Sequence, residues 1–276
     1  MNNRRLSLGT PFTYLIVVFV VGVTIVPLVF TILGGFRTNA QINNEPVGWP
    51  SPWNLGNYGD VLSSDVFWKA MGNSTLISVI TTGLAVSVGA MAAFALSRYT
   101  FSGRESLYTL FTLGLLFPLT AAALPLYLLL RELDLLENPL GVALPQAAFA
   151  LPITIVILRP FMAAIPAELE DAAAMDGAGR LGFFWRILIP LSRPALTTVA
   201  ILAFVTSWNA YLLPLLVLSD PNNFTLPLGV AAFQSQFSQD TARILAYTAA
   251  SMIPAIGFFV FAERHIVGGL TGSVKG

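Results

Sequence analysis

Few side chains in this chain can do chemistry, and those few are grouped. There is no cysteine and a single histidine, His265. Disulfides, thiolate metal sites and thiol nucleophiles are therefore absent, and most zinc and imidazole acid–base chemistry goes with them. Glu168, Glu170, Asp171, Asp176, Arg180 and Arg186 all fall in one stretch, "ELEDAAAMDGAGRLGFFWRILIP", residues 168–190. Carboxylates gathered at the start of a short helix suit docking to another chain, because the helix dipole favours negative charge there. A second set is neutral and lies inside apolar runs: Asn73, Ser74, Gln146, Ser207, Trp208, Asn209, Tyr211 and Ser251. Amides, hydroxyls and aromatic faces suit a neutral, hydroxylated solute. They equally suit hydrogen bonding between helices. For Trp208, Asn209 and Tyr211, with Asn73, both readings stand. No acid or base sits at mid-depth of an apolar run, where ion-coupled carriers keep their ion sites.

The elements that must position these residues are membrane helices. Charged residues make up 10% of the chain and hydrophobic ones 55%, against about 25% charged in soluble domains. Such a surface would aggregate in water, so the bilayer is the expected solvent. The zero net charge argues against nucleic acid as a partner. A span needs about 20 mostly apolar residues, and charge-free gaps of that order predict helices near 12–36, 73–97, 106–130, 139–162, 194–218 and 244–264. The first run is too long for a signal peptide and reads as a retained helix. The uncharged stretch 221–239, "PNNFTLPLGVAAFQSQFSQ", is broken by prolines and amides and reads as a long loop. Placing the N-terminus in the cytoplasm puts ten lysines and arginines inside and only Arg37, Lys69, Arg131 and Arg243 outside. Both termini are then cytoplasmic. Within the second span, Ala85, Gly89 and Ala93 permit close helix approach, either for packing or at a moving interface.

The charged stretch falls in the inner loop between the fourth and fifth spans. Pro166 suits the first helical turn, three acids follow it, and Ala172, Ala173 and Ala174 favour helix. Gly177 and Gly179 stop it. The expectation is a rod of about three turns, followed by an apolar piece, Phe183 to Leu188, lying against the inner headgroups.

The spacing Asp171-Ala172-Ala173, three residues, Gly177, nine residues, Ile187-x-Ile189-Pro190 resembles the "EAA" loop of ATP-binding-cassette importer permeases. The stretches "NSTLISV", "SWNAYLLPLLVL", "FTLPLGV" and the tail "GGLTGSVKG" extend the likeness over nearly the whole chain, nearest to the maltose-type carbohydrate importers. The resemblance implies an all-α membrane protein of six transmembrane helices with both termini cytoplasmic. It implies one transmembrane domain, 1–276, with a core over roughly 73–264 and a coupling loop over 164–193. The coupling helix lies between the fourth and fifth membrane helices and docks on an ATPase. By position Asp171 is the acidic docking residue, with Glu168, Glu170 and Asp176 beside it. Ala172 and Ala173 form the close-contact face, and Gly177 the turn. Asp171 is one methylene shorter than the family's glutamate. The implied partners are a second permease subunit of different sequence, two ATPase subunits and an extracytoplasmic solute-binding protein, in the cytoplasmic membrane of a bacterium or archaeon. No cofactor belongs to this chain; ATP and Mg sit on the ATPase. The only lysines are Lys69 and Lys275, and neither stands in a P-loop. The implied cargo is a sugar or related polyhydroxylated solute. An ATP-independent facilitator would share the six spans but gives the charged loop no task, and a membrane enzyme lacks a catalyst among these residues.

Overall fold

The computed structural model describes residues 9–233 and 240–271. Arg4, Arg5 and Lys275, residues 234–239 of the long loop, the last residues of the tail motif, and the side chains of Arg264 and His265 lie outside the described residues. Every regular element among the described residues is helical. In chain order these are α1 Gly9–Gly34, α2 Asn39–Asn44, α3 Gly56–Ser63, α4 Asp65–Arg98, α5 Arg104–Gly114, α6 Leu119–Glu132 and α7 Pro139–Ala163. There follow α8 Glu168–Met175, α9 Arg180–Phe183, α10 Ile189–Leu191, α11 Arg193–Trp208, α12 Leu212–Val217, α13 Leu226–Gly229 and α14 Thr241–Thr271. The chain divides into two compact units, Met1–Phe67 with Val230–Ile253, and Trp68–Gly229 with Pro254–Gly276.

In the first unit α1 follows the expected span closely, and its apolar window is wholly unburied, as a lipid-facing helix requires. The loop after it is tied around one cation. Arg37 is buried, and its guanidinium donates to the carbonyls of Gln41, Glu45 and Pro46. Asn57 donates to the carbonyls of Gly35 and Arg37 at 3.0 and 2.7 Å. Thr38 and Gln41 form a capping box at α2. Arg37 thus serves the loop's own structure as well as the charge count.

In the second unit α4 has 34 residues, about 51 Å at 1.5 Å per residue, well beyond a hydrocarbon core of about 30 Å. Its small residues pack inward. Ala85 and Ala93 are fully buried, and a Cβ on Gly89 would lie 2.4 Å from Thr154 Cγ2 of α7. The stripe is a close-packed seam. At the start of α7 the Asn138 side chain accepts from the Leu140 N–H, with Pro139 in the first turn. Its three internal prolines leave it one helix.

Two expected spans are not single helices. Residues 106–130 divide into α5 and α6, bent by 99°. Pro118 is extended at the break (φ −77°, ψ 131°), and proline also pushes its preceding residue out of the α region. Residues 194–218 divide into α11 and α12 at Asn209–Tyr211. The Pro214 ring would clash with the Ala210 carbonyl inside a continuous helix but is tolerated in a new first turn. Three helices among the described residues are long and apolar enough to cross a membrane, or up to five if α5 with α6, and Arg180–Leu191 with α11, each count as one span. The sixth expected span lies in α14, whose side chains are described only to residue 258.

Candidate functional site

The charged stretch forms α8, eight residues long and so nearer two turns than three. Glu168, Glu170 and Asp171 occupy its first turn. Its end is a Schellman closure: Gly177 N–H donates to the Ala174 carbonyl at 3.0 Å and Ala178 N–H to the Ala173 carbonyl at 2.8 Å. Gly177 takes φ +80°, the left-handed conformation that side chains with a Cβ rarely adopt.

The rod has an outer and an inner face. Glu168, Asp171, Ala172 and Met175 follow the i, i+3, i+4, i+7 spacing, and all four are exposed, Met175 to 89%. Asp176 and Gly177 are exposed as well. Ala173 is not on this face. It is buried among Phe94, Met162, Phe183, Phe184 and Leu188, so it seats the rod on its own chain and offers no surface to a partner. Glu170 is half-buried near Tyr99; burial first, and then the Glu170 charge, push the Tyr99 hydroxyl above its ordinary pKa. Met175 and the exposed Leu169 were absent from the expected docking set, although their spacing from Ala172 carried the signal.

The stretch after the rod is a foundation, and the expectation of an interfacial piece fails for its inward side. Phe183, Phe184 and Leu188 are fully buried, and only Leu181, Trp185 and their neighbours face out. Pro190 cannot donate and crowds the carbonyl four residues back. The turn before it widens to a π turn, Phe184–Leu188, in which Ile189 N–H reaches the Phe184 carbonyl. A bend of 78° then leads into α11.

Two arginines, Arg98 and Arg180, tie this foundation to the end of α4 and to Tyr99 after it, and a third, Arg159, joins the long helices to one another. Arg98 at the end of α4 donates to the Ile165 carbonyl at 2.7 Å and lies 5.8 Å from the Phe183 ring centroid. Arg159 of α7 donates to the Leu96 carbonyl at 3.2 Å, pairs with Glu105 at 2.5 Å and covers the Tyr108 ring at 3.9 Å. Arg180 covers the Tyr99 ring at 4.7 Å. Packed and charge-assisted contacts therefore join the base of α8 to α4 and α7, and α7 to α5.

The expected pathway residues separate into two groups. Trp208, Asn209 and Tyr211 meet at the α11–α12 break. Trp208 is buried and stacks on Phe204, Tyr211 is half exposed, and the Asn209 amide donates to the Val205 carbonyl at 2.8 Å. Asn73 does not join them. Its amide donates to the carbonyls of Asn222 and Phe224 at 2.9 and 3.1 Å, while Ser74 Oγ accepts from Leu226 N–H at 2.8 Å. The "NSTLISV" and "FTLPLGV" motifs thus meet as a loop anchor. A separate polar cluster lies inside. Gln146 of α7 accepts at Oε1 from Thr81 of α4 at 3.2 Å and from Ser207 of α11. These three, with Leu119, Thr206 and Ala210, line a cavity of about 110 Å³. A neighbouring cavity of about 160 Å³ shares Thr206 with it.

The chain matches, over residues 85–266, the family described as "Binding-protein-dependent transport system inner membrane component". A trehalose transport system permease protein of Mycobacterium tuberculosis is 36% identical over 260 residues, covering 93% of this chain and 94% of that one. An arabinooligosaccharides transport system permease protein of Halalkalibacterium halodurans is 33% identical over 263 residues, 94% of each chain. The crystal structure of a bacterial ABC transporter involved in the import of the acidic polysaccharide alginate contains a chain of the same fold, with a TM-score of 0.79 at 22% identity, covering 95% of this chain and 99% of that one. A helical bundle that stands a capped acidic rod on a buried foundation, and keeps near-complete alignment with permease relatives, belongs to the family of binding-protein-dependent inner membrane components and is a permease subunit of the ABC type.

Proposed function

We propose that this chain is the membrane subunit of an importer that moves a sugar or related polyhydroxylated solute inward, driven by ATP hydrolysis on separate subunits. The solute class rests on the relatives named for trehalose and arabinooligosaccharides and on the neutral Gln146 amide with the hydroxyls of Thr81, Thr206 and Ser207. In this reading six spans carry the chain through the cytoplasmic membrane with both termini inside. α5 with α6, and α11 with α12, are broken spans, and α14 completes the sixth. The partners are a second permease chain, two ATPase subunits holding ATP and Mg, and an extracytoplasmic binding protein, the last in keeping with the family's description.

The observation that carries the mechanism is α8: a short rod with an exposed acidic and apolar face, seated by Ala173 on a buried aromatic base. Such a rod can enter a groove and transmit force without bending away. Driving a two-state bundle from 1:99 to 99:1 takes about 5.5 kcal/mol of differential binding. Nucleotide-dependent docking at Glu168, Asp171, Ala172 and Met175 supplies it.

Co-purification with the cognate ATPase tests this. Ala172 is exposed, so Ala172→Arg leaves the fold intact and is expected to reduce ATPase association and uptake at least about tenfold, a loss of about 1.4 kcal/mol. Gly177→Pro, at φ +80°, does the same by undoing the closure. Association and uptake at the unaltered level in both variants would refute docking through α8.

A further inference from the structure

We infer that Gln146 is the residue through which this chain reads a hydroxyl group of its solute. The inference rests on the importer reading above and goes beyond it by naming a specificity-determining group.

The position is unusual in its backbone. The cavity beside Gln146 is lined by Leu119, next after Pro118 in the α5–α6 break, and by Ala210, inside the α11–α12 break. Irregular backbone at membrane depth leaves polar groups unsatisfied, and is tolerated where it is buried in protein or borders a wet cavity. Here two breaks come together at one cavity.

The side chain is paired at one end and unpaired at the other. Hydroxyls from α4 and α11 fix Oε1, and Nε2 has no hydrogen-bond partner among the described residues. A buried amide nitrogen without an acceptor is costly, so this end is built to meet one. A hydroxyl both donates and accepts, so it satisfies the free end of the amide in either flip state. No charged side chain lines either cavity, which favours a neutral group over a carboxylate or a phosphate. The volume of about 110 Å³ corresponds to a few waters at about 30 Å³ each, or to one hydroxymethyl edge of a larger solute. Thr206 borders both cavities and so links them along the α7–α11 seam.

Two measurements on the complete importer decide it. The chain has no cysteine, so Thr206→Cys introduces the only thiol in this chain, with Ala150→Cys as the alternative should the first fail to assemble. The thiol is expected to react with a neutral, water-soluble methanethiosulfonate reagent in at least one nucleotide state, and more slowly during solute uptake. Retained uptake with no reaction in any nucleotide state would overturn the inference. In proteoliposomes, labelled trehalose and an arabinooligosaccharide compete as probes. Gln146→Leu is expected to change the ratio of their uptake rates about fivefold, the scale of one hydrogen bond, and Gln146→Asn to restore part of it. A general folding defect lowers both rates together and leaves the ratio alone. An unchanged ratio means that Gln146 only joins three helices, and the inference fails. Uptake of neither probe by the unaltered importer would instead overturn the sugar reading, and the inference with it.

Discussion

Glu137 shows how much one side chain outside the apolar runs can fix. It sits at φ +56° between α6 and α7, and its carboxylate accepts from the Ser219 N–H at 2.6 Å and the Asn223 amide at 3.1 Å, and from the Asp220 N–H. Burial pushes the carboxyl up, but the hydrogen bonds from Asn223, Ser219 and Asp220 outweigh it and hold the pKa below the usual range. A depressed carboxylate pKa gives a contribution that is full above the unfolded value, about 4.3, and lost as pH falls through the folded value beneath it. The protection of the Ser219 and Asp220 amides, measured against their intrinsic exchange rates, is therefore expected to fall below about pH 4.3. In Glu137→Gln the same amides exchange fast at neutral pH and lose that pH dependence. Unaltered exchange in the variant would show that the latch does not hold this loop. Lys69 and Asn73 fasten the other side of the loop through Asn222. Asn73, for which a pathway role and a packing role both stood, is thus one of this loop's anchors.

At the scale of elements, the helices are set by close approach and by proline. Gly89 lets α4 meet α7, since any Cβ there would press on Thr154. Gly22, in the middle of α1, has nothing within 4 Å of a built Cβ. Gly89→Ala is expected to destabilise by about 1–3 kcal/mol through overpacking, visible as a lowered midpoint of thermal unfolding in detergent. Gly22→Ala should be neutral or gain up to about 1 kcal/mol from helix propensity. Equal effects at both positions would contradict the seam. Arg159 joins α7 to α4 and α5 through its guanidinium. Arg159→Met is expected to keep ATPase association and lower uptake, because the rod still docks but its movement is less firmly passed on. A loss of association equal to that of Ala172→Arg would place Arg159 in the docking surface instead.

At the scale of the molecule, direction across the membrane is what the importer reading requires. α7 spans Pro139–Ala163, 25 residues, about 37 Å at 1.5 Å per residue, and separates the Leu133 turn from α8. Leu133 and Met175 are both exposed. In the cysteine-free chain, Met175→Cys is expected to react with a membrane-impermeant thiol reagent only in inside-out vesicles, and Leu133→Cys only in intact spheroplasts. The reverse pattern would place α8 outside and refute coupling to a cytoplasmic ATPase.

The one-dimensional signals in this chain are length, charge and local rules. Apolar runs without charge marked where helices lie, acids followed by alanines and Gly177 marked α8 and its stop, and motif spacing marked the family. These depend on neighbours within a turn or two, so the residues themselves determine them. The facing of Ala173 into the aromatic base, the turn of Asn73 toward Asn222, the bend at Pro118, the break at Asn209–Tyr211, and the meeting of Thr81, Gln146 and Ser207 were decided only by the tertiary structure. Each depends on which helices pack side by side. A single proline tells that a helix can break, but whether it does depends on neighbours that can take up the freed backbone: α7 carries three and stays whole, while α5 and α6 part at one.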